Sequence, residues 1–366
     1  MSVIPSSPTE IEHALALRDL TDPCEGPHAI QRLVDDAVDG LCRAWRCERL
    51  IARGPRIVSI TDNYDALGYE PDAVTRDARY TRYVTATEML RSHTTALVPR
   101  ALRTLAGSSL DDVLIACPGV VYRRDAIDRL HSGTPHQLDL WRIARGKSLA
   151  SGDLKEMIEI VLRSILPGAE WRTEPRVHPY TTEGLQIDVD NGGEWVEIGE
   201  CGLASSAVLR RAGLPASCTG LALGIGLDRL LMLRKGMADI RLLRATDPRI
   251  TAQMRDLSLY RAVSNRPAVV RDLSVAVALD RDEELLGDQV RAALGDDADC
   301  VEAVVVVSET PAEALPAPAA ARLGIRPGQK NVLLRITLRS VERTLTREEA
   351  NGLRDRIFTA LHQGWG

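Results

Sequence analysis

The chain of 366 residues has one phenylalanine, Phe358, and only four lysines among its 46 basic residues. The lysine shortage is a bias of usage and carries no functional reading. The phenylalanine shortage means that any pocket built before the last few turns of the chain contains no Phe side chain. No run approaches the roughly 18 consecutive apolar residues that mark a membrane-crossing helix. The opening Met1-Ser2-Val3-Ile4-Pro5 lacks the basic and apolar regions of a signal peptide, so a cytoplasmic protein without a membrane partner is expected. None of the seven cysteines stands in a C-x-x-C pair or at ligand spacing from a histidine. That argues against structural zinc and a disulfide frame, and predicts buried, reduced thiols. Positive charge is also short: a net charge of −5 denies the chain a generally basic nucleic-acid surface.

What is present is globular. Hydrophobic residues at 45% and charged residues at 27% match folded domains, and the length fits two of them. Apolar positions Ile30, Leu33, Val34, Val38 and Leu41 recur at helical spacing between Gly26 and Trp45, which predicts an amphipathic helix. A polar, turn-rich stretch from Arg53 to Asp77 follows, then an expected helix over 87–105. From Val113 the pattern turns to short β-type runs, Val113–Tyr122, Gln186–Asp190 and Glu194–Ile198, with a helix over Leu154–Leu166 closed by Pro167-Gly168. Strands and helices do not alternate strictly, so the expected class is α+β, an antiparallel sheet with flanking helices.

The pattern restarts near Ser264-Asn265-Arg266-Pro267, and strands and helices over 265–366 follow in the order βαββα of a ferredoxin-like module. Charge is uneven within it. Residues 265–313 hold four basic and twelve acidic side chains, while 314–366 hold nine basic and four acidic. The second half is either a solvated surface or a local basic patch for a polyanion.

Two nucleotide signals fail. Gly146-Lys147-Ser148 imitates the end of a P-loop, but Trp141 stands where its first glycine belongs. Gly224-Ile225-Gly226 has Arg229 where a dinucleotide fingerprint needs its third glycine. What remains is a strand-then-helix unit, Gly220 to Leu233, with Arg229 on the first helical turn. The helix dipole disfavours a cation there, so a negative partner is expected. Upstream, Tyr122-Arg123-Arg124-Asp125, Asp128 and His131 place arginine, aspartate and histidine near one loop mouth, where Arg can grip a phosphate bidentately.

Taken together these stretches carry a resemblance. Tyr122-Arg-Arg-Asp-Ala-Ile-Asp128 with His131, then His136-Gln137, resembles motif 2 of class II aminoacyl-tRNA synthetases of the phenylalanine type. Gly220-Leu-Ala-Leu-Gly-Ile-Gly-Leu-Asp-Arg229 resembles motif 3, and Leu90-Arg-Ser-His93-Thr-Thr95 is similar to that family's Leu-Arg-Thr-His-Thr-Ser. Pro267-x-x-x-Arg271-Asp272 and Glu342-Arg343-Thr344-Leu345-Thr346 are similar to the ferredoxin-like anticodon-binding domain of phenylalanyl-tRNA synthetases. The resemblance covers about 26–366. It implies an N-terminal extension (1–25), a catalytic domain (26–262) and an anticodon-binding domain (265–366), as in the single-chain organellar type, either monomeric or homodimeric.

The implied reaction has two steps. An amino acid carboxylate attacks the α-phosphate of ATP to give an aminoacyl adenylate and pyrophosphate, and the acyl group then passes to tRNA. By resemblance, Arg123 would stabilise the α-phosphate, Arg229 would hold the γ-phosphate and His131 the pyrophosphate end. Asp125, Gly224 and Gly226 would complete the ATP site, with Glu197 a carboxylate on the Mg²⁺ side. His93, Thr95, Gln137, Asp139, His178, Tyr180, Thr181 and Ala222 would line the amino-acid site, and Arg335, Arg339 and Arg343 would face tRNA. In that amino-acid site the family's Phe-Pro-Phe-Thr-Glu reads His178-Pro179-Tyr180-Thr181-Thr182, and Thr95, Asp139 and Pro135 replace Ser, Glu and Phe. Either His178 and Tyr180 find partners within the protein and leave a phenylalanine-sized pocket, or they recognise a polar atom of another amino acid. A ligase for a modified aromatic amino acid and a non-catalytic, synthetase-like RNA-binding protein are the alternatives to phenylalanine–tRNA ligation.

Overall fold

The computed structural model describes residues 5–77, 80–263 and 266–365. The first four residues of the expected extension lie outside these, as do Ser264 and Asn265, where the sequence pattern restarts. Contacts divide the chain into two compact units. The first comprises 1–123, 134–237 and 253–260, the second 124–133, 238–252 and 261–366.

The first unit opens with α1 (Pro8–Ala16), started by a capping box in which the Ser7 amide donates to Glu10 Oε2 at 2.7 Å and the Glu10 amide to Ser7 Oγ at 3.3 Å. The predicted amphipathic helix is α2 (Ala29–Trp45). Next come β1 (Glu48–Ile51), β2 (Ile57–Ser59), the short α3 (Ile60–Asn63), β3 (Glu88–Leu90) and α4 (Val98–Ala106). The single helix expected over 87–105 is therefore corrected to a strand, a 3-10 turn at Thr94–Leu97 and a helix. Pro99 is the reason: without an N–H it fits only a first helical turn, so α4 starts late.

The remaining elements are β4 (Asp112–Val120), β5 (His136–Arg145), α5 (Ser151–Ile165), β6 (Trp171–Pro175), β7 (Thr181–Asp190), β8 (Trp195–Ala204), α6 (Ser206–Arg211), β9 (Cys218–Gly226) and α7 (Leu227–Lys235). Seven strands form one sheet in the order β1-β4-β5-β9-β8-β7-β6, antiparallel except for the β1–β4 pair. Leu221, Leu223 and Ile225 of β9 alternate with Ala222, Gly224 and Gly226. The large residues are buried on the face covered by α2, α5 and α7, which leaves the small ones on the other face. Seven free thiols are present; Cys117, Cys201 and Cys218 are buried, but Cys24 is exposed, contrary to expectation.

A strap at residues 17–25 braces this sheet. The Leu20 amide donates to His136 Nε2 at 3.1 Å, and Asp19 Oδ2 accepts from the Val120 amide at 3.1 Å. Arg91, only 2% exposed, lies 3.6 Å from Asp19 and donates through Nε to the Val120 carbonyl at 2.7 Å. It passes over Gly119, where a Cβ would collide with its guanidinium.

The second unit contains α8 (Pro248–Gln253, all but its last residue), β10 (Val269–Ala278), α9 (Glu283–Leu294), β11 (Val301–Pro311), α10 (Ala317–Leu323), β12 (Gln329–Leu338) and α11 (Arg347–Leu361). Its antiparallel sheet runs β10-β12-β11, and α9 and α11 bury Leu286, Val290, Leu353 and Ile357 against it. The order expected from the sequence, βαββα, is met except for α10, which stands between β11 and β12 and makes the observed order βαβαβα. No helix among the described residues is long and apolar enough to cross a membrane.

Candidate active site

The site is built on the face of the large sheet where β9 has no bulk. In register, Asp139 of β5 lies beside Gly224, which lies beside Glu200 of β8. In the next row Trp141 lies beside Ala222, which lies beside Gly202. The result is a trough floored by Ala222, Gly224 and Gly226. Gln137, Asp139 and Trp141 form one wall, and Glu200 stands on the other. Gly199 and Gly202 allow this closeness: a Cβ on Gly199 would collide with the Gly224 carbonyl, and one on Gly202 would sit 2.7 Å from Thr181 Cβ.

Asp139 is buried and takes three donors. Thr94 Oγ1 donates to Oδ2 at 2.8 Å, Thr95 Oγ1 reaches both oxygens at 3.0 and 3.1 Å, and Trp141 Nε1 donates to Oδ1 at 3.3 Å. Burial nevertheless pushes its carboxyl above the usual range. Gln137 Oε1 accepts from the Thr94 amide at 3.2 Å, which ties β5 to the 3-10 turn. His93 precedes that turn. Burial, reinforced by the nearby Arg123 charge, lowers its pKa to about 3, so the ring is neutral, with Nε2 at 3.4 Å from Asn63 Nδ2.

Aromatic rings close the trough. Tyr180 lies 6.2 Å from Trp141 and 6.2 Å from Tyr69, whose ring is 5.9 Å from His93 and 5.3 Å from Tyr64. His178 stacks on Tyr180 at 5.4 Å. Its Nδ1 is 3.2 Å from Thr181 Oγ1, and Nε2 lies 2.8 Å from Glu200 Oε2 without the alignment of a hydrogen bond. Burial alone would raise the Glu200 carboxyl. The His178 contact and the Arg176 guanidinium, with Nε 3.1 Å from Oε1, overcome this and hold it below its ordinary value. His178 thus contacts Thr181 and Glu200 inside the protein, whereas the contacts described for Tyr180 are those of its ring with Tyr69, Trp141 and His178.

Arg123 follows β4 and donates through Nε to the Ser92 carbonyl at 2.9 Å. Its charge acts on His93, Asp139, Tyr69 and Tyr180, so the guanidinium is within electrostatic reach of the trough. Arg229, in the first turn of α7, donates to the neutral Glu197 carbonyl at 2.7 Å, and its charge acts on the Glu197 carboxyl. The Glu197 carboxyl is raised by burial and then by Glu200, and opposed by Arg229.

The other sequence candidates lie in the second unit. Asp125 Oδ1 accepts from the Ala126 amide at 2.9 Å. His131 is held by Asp128, which accepts from its amide at 2.8 Å and contacts Nδ1 at 2.7 Å. Burial opposes ionisation of Asp128, but the His131 contact dominates and holds it at about 2. The loop 124–133 is anchored to its own unit. Ile127 enters the second core, the Val304 amide donates to its carbonyl at 2.9 Å, and Arg124 lies 3.2 Å from Asp288. Arg335 forms a bidentate pair with Asp272 at 2.9 Å, Arg343 contacts Glu349 at 2.6 Å and Arg339 contacts Glu302 at 2.9 Å.

Sequence reasoning passed over Tyr64, Tyr69, Trp141 and Glu200. Tyr64 and Tyr69 fall in the turn-rich stretch without periodicity. Glu200 could have been found from the β8 register, had the strand been extended beyond Ile198.

The antiparallel sheet, the glycine-floored strand leading into α7 and the two arginines at its mouth are those of a class II synthetase core. The model of the family described as "tRNA synthetases class II core domain (F)" matches residues 26–254, and the chain belongs to this family. More particularly, the chain is similar to phenylalanine–tRNA ligase alpha subunits. It is 33% identical to that of Prochlorococcus marinus (strain NATL2A) over 56% of this chain and 59% of the relative. To that of Nostoc punctiforme it is 33% identical over 62% and 66%. The chain therefore spans less than two thirds of the length of these relatives. A pyrrolysyl-tRNA synthetase from Desulfitobacterium hafniense aligns with a TM-score of 0.48 at 17% identity, over 65% of this chain and 78% of that one.

Proposed function

We propose that the protein is an ATP-dependent aminoacyl-tRNA ligase of the phenylalanine type, acting in the cytoplasm. It activates an aromatic amino acid as its adenylate and transfers the acyl group to tRNA. The observation that carries this reading is the convergence of Arg123, the buried Asp139 with its threonine partners, the neutral His93 and the aromatic wall over a glycine floor. The floor admits a flat side chain, and Asp139, flanked by Gln137 and Thr95, offers the polar end that an amino acid's ammonium group needs. Arg123 at the mouth supplies positive charge where the α-phosphate would gain negative charge during attack by the substrate carboxylate. Arg229 holds the γ-phosphate, and Gly224 and Gly226 leave room for the nucleotide. Catalysis is then positioning and charge stabilisation, with no nucleophilic side chain.

Glu197, whose carboxyl is raised by burial and by Glu200, is a donor of the type Mg²⁺ takes together with substrate phosphates. Bound there, the ion would neutralise phosphate charge. Residues 265–366 form the tRNA-side module, as in single-chain synthetases, with Arg335, Arg339 and Arg343 exchanging their carboxylate partners for phosphates. ATP–pyrophosphate exchange with phenylalanine and related aromatic amino acids tests the reading. Exchange is expected in the wild type and is lost in Arg123→Ala and Arg229→Ala; robust exchange in both variants overturns the assignment.

A further inference from the structure

Two carboxylates flank Gly224, and they are wired differently. Asp139 takes three donors, Thr94, Thr95 and Trp141, with the single Thr95 hydroxyl proton shared between its two oxygens. Glu200 has one partner on each oxygen, Arg176 Nε on Oε1 and His178 Nε2 on Oε2. A carboxylate oxygen carries two lone pairs, so Glu200 retains acceptor capacity. His178 Nδ1 lies 3.2 Å from Thr181 Oγ1, its Nε2 lies 2.8 Å from Glu200 Oε2 outside hydrogen-bond alignment, and its ring is stacked on Tyr180, so the imidazole is held on three sides. Tyr180 in turn leans on Trp141 and Tyr69. A slot with aromatic walls therefore ends on one side at an acceptor that is pinned in place. A purely hydrocarbon ring seated there would strip water from Glu200 and return no hydrogen bond.

We propose that the His178–Glu200 pair makes this pocket selective for an aromatic amino acid whose ring carries a hydrogen-bond donor, a hydroxyl or amino group, over phenylalanine. This rests on the reading of the trough as an amino-acid site. The donor on the ring takes a free lone pair of Glu200, and His178 and Arg176 hold that carboxylate charged and oriented.

The test is equilibrium binding of phenylalanine, 3- and 4-hydroxyphenylalanine and 4-aminophenylalanine to the full chain without ATP, followed by pyrophosphate exchange with the same set. At least one ring-donor amino acid is expected to bind about 10²-fold or more tighter than phenylalanine, since a site built around a polar contact discriminates strongly against the analogue lacking it. Glu200→Gln should bring that ligand close to the phenylalanine level. His178→Phe, which removes the pair by another route, should do the same. Phenylalanine binding as tightly as any ring-donor ligand overturns the proposal. So does a Glu200→Gln variant that weakens every amino acid equally, because the carboxylate would then serve the common ammonium group. Selective binding without exchange for any amino acid leaves the selectivity standing and removes the ligase reading.

Discussion

The two units use their charges in opposite ways. In the first, ionisable groups crowd a buried trough and are pulled from their ordinary values. His93 is kept neutral, Asp139 is raised by burial, and Glu200 is held down by His178 and Arg176. In the second, exposed arginines meet exposed carboxylates pair by pair, Arg335 with Asp272 and Arg343 with Glu349, while Arg339 shares the buried Glu302 with Arg129 and Arg241. Exposed pairs of this kind are screened and replaceable, whereas a buried charge keeps its full influence on whatever enters beside it. Chemistry belongs to the first arrangement, and reversible attachment of a polyanion suits the second.

The sharpest test of that contrast sets Arg123 against Arg335. Arg123→Ala should lower pyrophosphate exchange by about 10²–10³-fold, the usual loss when a charge-stabilising donor is removed, and Arg335→Ala should leave it within about twofold. Comparable losses would erase the distinction. Next in size is backbone closeness. Gly199→Ala drives a Cβ into the Gly224 carbonyl and should cost about 1–3 kcal/mol in urea unfolding. Gly352→Ala in α11, where a Cβ meets nothing, should stabilise by about 0.5–1 kcal/mol. Destabilisation by both would show that the second unit is as tightly constrained as the first.

A pH titration sharpens the comparison further. The folded pKa of His93, about 3, lies below the ordinary 6.5, so the unfolded chain takes up a proton that the folded chain refuses. This contribution to stability is intact above pH 6.5 and is lost as pH falls from there towards 3. A His93→Gln variant should show a flatter pH dependence of unfolding over that window, and an unchanged slope would refute the assignment. The smallest effect is expected at Asp272. Asp272→Asn releases Arg335 and should strengthen tRNA binding severalfold at low salt, with the gain fading as salt rises.

Much of this was legible in the chain. The helix at 29–45 followed from its periodicity, the β9–α7 unit from glycines leading into a helical run, and the three strands and the helices α9 and α11 of the second unit from their alternation, though α10 did not. The late start of α4 was also written in the sequence, at Pro99, but a continuous apolar pattern masked it. The aromatic wall was not legible, because Tyr64 and Tyr69 reach the trough through tertiary packing of a segment with no repeat of its own. Nor was the His178–Glu200 contact, which joins residues 22 apart through the pairing of β7 and β8. The grouping of Asp125 and His131 with the second unit likewise depends on where Ile127 finds a core, and no local signal announces it.

The strap at residues 17–25 lies ahead of the segment that matches the family, which begins at residue 26. Through Asp19 and Leu20 it grips the end of β4, just before Arg123, and the start of β5, just before Gln137. A recombinant core trimmed at the homology boundary would lose both grips while keeping every residue that resembles its relatives. For protein engineering, the minimal working unit of this synthetase core is longer than its recognisable one.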